Sequence, residues 1–172
     1  MAVEASSGVV AGAGGLGAMA VVGISLRAQL VGLLGAELLG YAPLSESQPS
    51  DPAAQVRSSV WLAGGGLVLA PRVARRVSFD AALGTLAIFV RSTGTSTAQF
   101  IGTTQEETGV ALYARGAARF RLAKCLALRI DLLAGAAIQR PILSVLGTTN
   151  NRDIASFGTA FAAGVGGAEL RF

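Results

Sequence analysis

The chain has 172 residues and a net charge of +4; it is 52% hydrophobic, only 14% charged, and contains 23 glycines, one cysteine and no histidine. A soluble domain is about 25% charged, and disorder needs low hydrophobicity with high net charge, so disorder is excluded. The single Cys125 excludes a disulfide scaffold, the mild charge lacks the basic stripe with aromatics that nucleic acid requires, and the missing histidine removes the commonest general base and metal ligand.

The length fits one domain, 1–172. Residues 1–7 (Met-Ala-Val-Glu-Ala-Ser-Ser) have no basic start and no cleavage site, so no signal peptide is visible. On the reading below, the chain is expected to be the mature part of an exported protein.

The first element is a weak strand over 2–13, with Glu4, Ser6, Gly8 and Gly12 on one face. It runs into a segment with three readings. Residues 8–26 carry no charge, which is long enough to suggest a transmembrane helix, but six glycines there each cost a helix about 1 kcal/mol. The same segment holds Gly12-x-Gly14-x-x-Gly17, with Glu37 downstream, the pattern of a dinucleotide-binding turn. That motif needs a helix after it, yet over 16–27 the polar residues fall only on odd positions, which is strand periodicity. An amphipathic strand over 16–27 is the third reading, and the rest of the chain repeats it.

Six further strands follow. Residues 29–41 set Gln29, Glu37 and Tyr41 against Leu30, Leu34, Ala36 and Leu38; residues 55–70 are less regular, and Gly64-Gly65-Gly66 is expected to form a bulge that switches the faces. Residues 76–91 place Val77, Phe79, Ala81, Leu83, Thr85, Ala87 and Phe89 together, opposite Ser78, Asp80, Ala82 and Gly84. Residues 107–122 set Val110, Leu112, Ala114, Ala118 and Phe120 against Tyr113, Arg115, Arg119 and Arg121. Residues 124–140 are the clearest, with Leu126, Leu128, Ile130, Leu132, Ala134, Ala136 and Ile138 on one face and Arg129 and Asp131 on the other. The last, 155–172, ends with Glu169 and Arg171 opposite Ala168, Leu170 and Phe172. Tight turns are expected at 27–29, 71–76 and 122–124, and longer polar loops at 42–54, 92–106 and 141–154; the connection at 13–16 is short.

An even strand count with short turns on one side and longer loops on the other predicts an all-β, eight-stranded antiparallel up-and-down transmembrane β-barrel. In water the uninterrupted apolar face would exceed any patch a monomer tolerates. In lipid it needs no partner, and closure satisfies every backbone group.

The C-terminal run Gly167-Ala168-Glu169-Leu170-Arg171-Phe172 resembles the terminal pattern of small eight-stranded outer-membrane barrels of the OmpA/OmpX type. The segments Trp61-Leu62-Ala63-Gly64-Gly65, Pro71-Arg72, Ser78 to Gly84 and Arg140-Pro141 are also similar to barrels common in myxobacteria. The resemblance implies a bacterial outer-membrane location, lipid as partner, and recognition by the barrel-assembly machinery through Phe172. Such barrels usually carry two aromatic girdles; here Phe79, Phe120 and Phe172 are expected on the turn side, with little beyond Phe89 on the other. Some eight-stranded barrels modify lipids with a histidine, which this chain lacks.

The expected function is therefore a structural or accessory barrel, with no catalytic residue, cofactor or metal and no nucleic-acid partner. The alternatives are a small pore or transporter component, a barrel that binds an extracellular partner through its loops, and, most remotely, the dinucleotide-binding domain. Cys125 is expected as a small lumen residue, and Tyr113 and Trp61 as lumen packing or interface anchors. Both termini are expected on the periplasmic side, with Arg27, Arg72, Arg75, Arg76, Arg121, Lys124 and Arg171 ringing that rim. The inward charges Glu37, Asp80, Arg115, Arg129 and Asp131 lie about five to nine residues from their turns, which at roughly 3.3 Å each predicts one mid-barrel layer. There Arg115 and Arg129 are expected to bridge the three carboxylates and block the lumen, since a buried charge without a partner is costly.

Overall fold

A computed structural model of the chain describes residues 1–47, 56–71, 76–94, 104–139, 141–146, 151–157 and 159–172. Period-two alternation becomes ten strands: β1 (Ala2–Gly12), β2 (Met19–Val31), β3 (Leu34–Pro43), β4 (Val56–Leu69), β5 (Val77–Gly94), β6 (Thr104–Arg121), β7 (Leu126–Gln139), β8 (Ile142–Leu146), β9 (Asn151–Ser156) and β10 (Phe161–Arg171). Eight of them close in the order β1-β10-β7-β6-β5-β4-β3-β2, every pairing antiparallel, and β8 and β9 form a separate two-stranded sheet. The last strand expected from sequence, 155–172, is thus divided: β10 begins at Phe161, and the polar link before it contains the β8–β9 hairpin. Closure pairs β1 with β10 along their whole length, from Ala2 opposite Arg171 to Gly12 opposite Phe161. Both chain ends therefore lie beside the connections at 32–33, 70–76 and 122–125, which we call the turn end.

The dinucleotide fingerprint does not meet its structural requirement. After Gly12 the chain turns through Gly14 and Gly15, at φ 122° and 95°, and enters β2 rather than a helix. No helix among the described residues is long and apolar enough to cross a membrane.

Two local expectations are corrected. The β2–β3 hairpin turns at Gly32-Leu33, with Val31 opposite Leu34, and not at 27–29. Gly32 adopts φ +58° while Leu33 keeps a negative φ, as a two-residue hairpin loop with glycine first requires. Gly64-Gly65-Gly66 is not a bulge: β4 pairs without a break on both sides, and the buried parity of Ser58, Val60 and Leu62 resumes at Val68.

Inward glycines make room for rings. Gly23 faces Tyr41 across β2–β3, and a Cβ there would lie 2.5 Å from the ring. Gly84 faces Tyr113 across β5–β6, and a Cβ on Gly66 would stand 2.8 Å from the Tyr113 hydroxyl. Gly135 lies under Phe161 in the same way. These rings join Met19, Leu62, Leu86 and Ile88 in an apolar layer filling the lumen toward the loop end. Leu16 and Phe157, from connections at that end, are buried on top of it, and Phe157 stacks at 5.7 Å on Phe161.

The outer wall carries the opposite parity: Val22, Ile24, Leu38, Leu67, Leu83, Leu112, Ile130 and Leu132 are all exposed. Trp61 lies on this wall opposite Phe89, while Phe79, Phe120 and Phe172 are exposed near the turn end. Trp61 is thus an outer-face residue and Tyr113 a lumen one.

Gly23→Val should cost about 1–3 kcal/mol by overpacking, read as a lower unfolding midpoint in urea. Because the obstruction is the Tyr41 ring and the Ser6 hydroxyl rather than backbone, the loss should shrink in a Tyr41→Ala background.

Candidate functional site

The turn-end half of the lumen is lined by charge. Glu4 of β1, Glu37 of β3, Asp80 of β5, Arg115 and Arg119 of β6, Arg129 and Asp131 of β7 and Glu169 of β10 are all buried, and the Arg27 side chain of β2 is only 11% exposed. Every barrel strand but β4 contributes; β4 offers Gly64 and Gly66 instead.

Two register facts make this layer obligatory. Closure sets Glu4 directly opposite Glu169, and the β6–β7 pairing sets Arg119 directly opposite Arg129. Like charges across a ladder repel, and in a lumen shielded from water that repulsion is little screened. Each like pair is held by cross-ties to the other. Arg129 Nε lies 3.3 Å from Glu4 and its Nη1 3.5 Å from Glu169, while Arg119 Nη1 lies 3.4 Å from Glu169.

Among the described residues Arg129 is the cation with the most side-chain hydrogen bonds. It donates from Nη1 and Nη2 to the two oxygens of Asp80, each at 2.6 Å, and from Nε to Asp131 at 2.8 Å. The fork geometry of guanidinium suits such bidentate pairing. Arg115 pairs with Glu37 and lies 3.6 Å from Asp131; Tyr113 donates to the other Glu37 oxygen at 2.7 Å. Arg27 sits among five carboxylates: 3.0 Å from Glu4, 3.4 Å from Glu37 and from Glu169, 3.5 Å from Asp80 and 3.9 Å from Asp131. At the edges Ser25 donates to Glu4, Arg119 to Ser78, and Arg171 Nε to Glu169 at 2.7 Å. Glu4, Glu37, Asp80, Asp131 and Glu169 are thus matched by Arg27, Arg115, Arg119, Arg129 and Arg171.

All five residues expected from sequence, Glu37, Asp80, Arg115, Arg129 and Asp131, come together here. The alternation also put Glu4 and Glu169 on polar faces, but only closure makes them neighbours. Arg27 is corrected: it is a lumen cation, not a rim residue, because the turn lies at 32–33 and Arg27 stays inside β2 opposite Glu37. The same shift puts Glu37 close to its turn, so the charges occupy the turn-end half rather than mid-barrel. Cys125 is exposed in the turn at 122–125, not in the lumen. Arg76, Arg121 and Lys124 are exposed at the turn end, and Arg171 is half-buried there; Arg72 and Arg75 fall outside the described residues.

No protein-family model matches the sequence, and no curated protein matches it. Solved structures do. The chain is similar to the outer membrane protein OprG from Pseudomonas aeruginosa, at 9% identity and a TM-score of 0.79, over 99% of this chain and 95% of that one. A major outer membrane protein from Thermus thermophilus follows at 14% identity and 0.68, over 99% and 98%. Neisserial surface protein A matches at 10% and 0.61, over 99% and 95%. At these identities the shared property is the fold: an all-β, eight-stranded antiparallel closed barrel of the outer-membrane type. The myxobacterial likeness gains no support from these comparisons.

Removing a partner from a buried ion network leaves its counter-charges in low dielectric, at about 3–5 kcal/mol. Arg129→Ala should therefore lower unfolding stability by that amount in a urea titration of the detergent-folded barrel. Arg91→Ala, which breaks the exposed pair with Glu106 at 3.8 Å, should stay within about 1 kcal/mol of the parent.

Proposed function

We propose that this chain is a non-catalytic structural or accessory barrel of the bacterial outer membrane whose lumen is closed. The observation that carries the reading is the two-layer filling of the interior. Apolar side chains, capped by Leu16 and Phe157, fill the loop-end half, and a layer of five arginines and five carboxylates crosses the lumen in the turn-end half. An eight-stranded barrel has an interior that side chains can fill, and an ion crossing this one would have to shed its water in the apolar layer. That speaks for a plug over a pore. The predominantly apolar outer wall, free of charge at mid-strand among the described residues, and the similar fold of known outer-membrane proteins support the location.

In this reading the turn end faces the periplasm and the loop end the exterior. Protease added to intact cells should cut within 42–54, 92–106 or 141–154 and spare 70–76; cleavage confined to 70–76 reverses the orientation. In planar bilayers the folded protein should give no steady conductance, and discrete, lasting current steps would refute the closed lumen.

A second reading, binding of an extracellular partner through the loops, draws on the β8–β9 hairpin. It lies between β7 and β10 at the loop end, with the Phe157 N–H donating to the Pro141 carbonyl at its base, and loops held on a rigid scaffold are where binding function concentrates. Shortening this hairpin should leave unfolding stability nearly unchanged while abolishing attachment of barrel-bearing cells to a surface; unaltered attachment rejects the second reading.

A further inference from the structure

The turn end opens into a cavity of about 550 Å³ below the charge layer, lined among others by Arg27, Arg119, Arg121, Arg171, Asp80 and Glu169. The cations and anions of this lining are not equally committed. Both Asp80 oxygens are taken by the Arg129 fork, and Glu169 is shared between Arg27, Arg119, Arg129 and Arg171. Arg171 spends its Nε on Glu169 and has no other side-chain partner among the described residues. Arg119 places one terminal nitrogen on the neutral hydroxyl of Ser78. Arg121 is exposed and has no side-chain partner among the described residues.

The register brings these cations together. Ala127 of β7 lies opposite Arg121 on β6 and Glu169 on β10, and the Arg171 N–H donates to the Cys125 carbonyl, so Arg121 and Arg171 stand on either side of the start of β7, two residues out of register. Strands lie about 4.8 Å apart, so two long side chains from either side of β7 can meet over its turn-end edge, and both line the cavity. Arg119 stands on the inner side of that meeting point and the cavity mouth on the outer.

We propose that this vestibule binds a compact anion, a phosphate group, held between Arg121 and Arg171 with Arg119 behind. Guanidinium forks match phosphate oxygens in geometry and charge. The cavity has room for the group, and its lining carboxylates are already paired: Asp80 with Arg129, and Glu169 with four arginines that include Arg119 and Arg171. The phosphate belongs either to a soluble phosphate compound or to a lipid headgroup entering at the rim.

The test uses the whole folded protein in a phosphate-free maltoside detergent. Inorganic phosphate is titrated at constant ionic strength, and the arginine Nε–H resonances are followed by NMR. Saturable shifts of Arg121 and Arg171, with those of Arg91 unmoved, are the expected result. Arg121→Ala, which removes no ion pair of the fold, should weaken binding at least tenfold, and Arg91→Ala should leave it unchanged. The titration is repeated in nanodiscs with and without phosphatidylglycerol. Loss of the phosphate response only in the anionic discs assigns the site to a headgroup; persistence in both assigns it to soluble phosphate. Non-saturable shifts, or an Arg121→Ala variant that binds phosphate as the parent does, overturn the proposal.

Discussion

Closing the sheet on itself forces Glu4 against Glu169, and much of the interior is arranged around that contact. A barrel has no free edge, so the first and last strands must pair, and here their register sets two carboxylates side by side in a space closed to bulk water. Arg27, from the neighbouring β2, and Arg129, from β7 on the far side of β10, both reach the seam. Arg129 in turn opposes Arg119 and needs Asp80 and Asp131 to offset that repulsion. The charges therefore form one mutually dependent set rather than separate pairs, and the seam is closed by side chains as well as by the backbone ladder.

The lumen and the outer wall answer to the same constraint from opposite sides. Lipid tolerates no charge at mid-depth, which costs roughly 2–4 kcal/mol on the lipid face, so every charged side chain of the spanning strands must turn inward or leave through the ends. With only eight strands there is little interior volume, and glycines facing Tyr41, Tyr113 and Phe161 keep the aromatic rings inside without displacing backbone. Tyr113 joins the two layers: its ring lies against Gly84, while its hydroxyl donates to Glu37. The charged layer is thus held from above by packing and from the sides by ion pairs.

Much of this was legible in the sequence because a barrel writes its two faces into alternate positions. The parity of Arg115 against Leu112 and of Asp131 against Leu132 is a local property, and it sorts lumen from lipid without knowledge of the fold. Three features were not local. Arg27 looks like a turn residue by charge, whereas the left-handed conformation at Gly32 places the turn. The triple glycine at 64–66 reads as a break in the pattern, yet it answers to Tyr113, a ring two strands away. The pairing of Glu4 with Glu169 joins opposite ends of the chain, and no window along the sequence contains both. Fold class is carried by periodicity, while the composition of the charge layer depends on register and closure.

The central claim is that these charges are buried in one coupled network. A double-mutant cycle on Arg115→Met and Glu37→Gln, measured by urea unfolding at low and at 1 M salt, tests it directly. A buried, connected pair should show a coupling of at least about 1 kcal/mol that survives the salt. Additive losses, or a coupling that disappears at 1 M salt, would mean that the charges stand in water and the lumen is open.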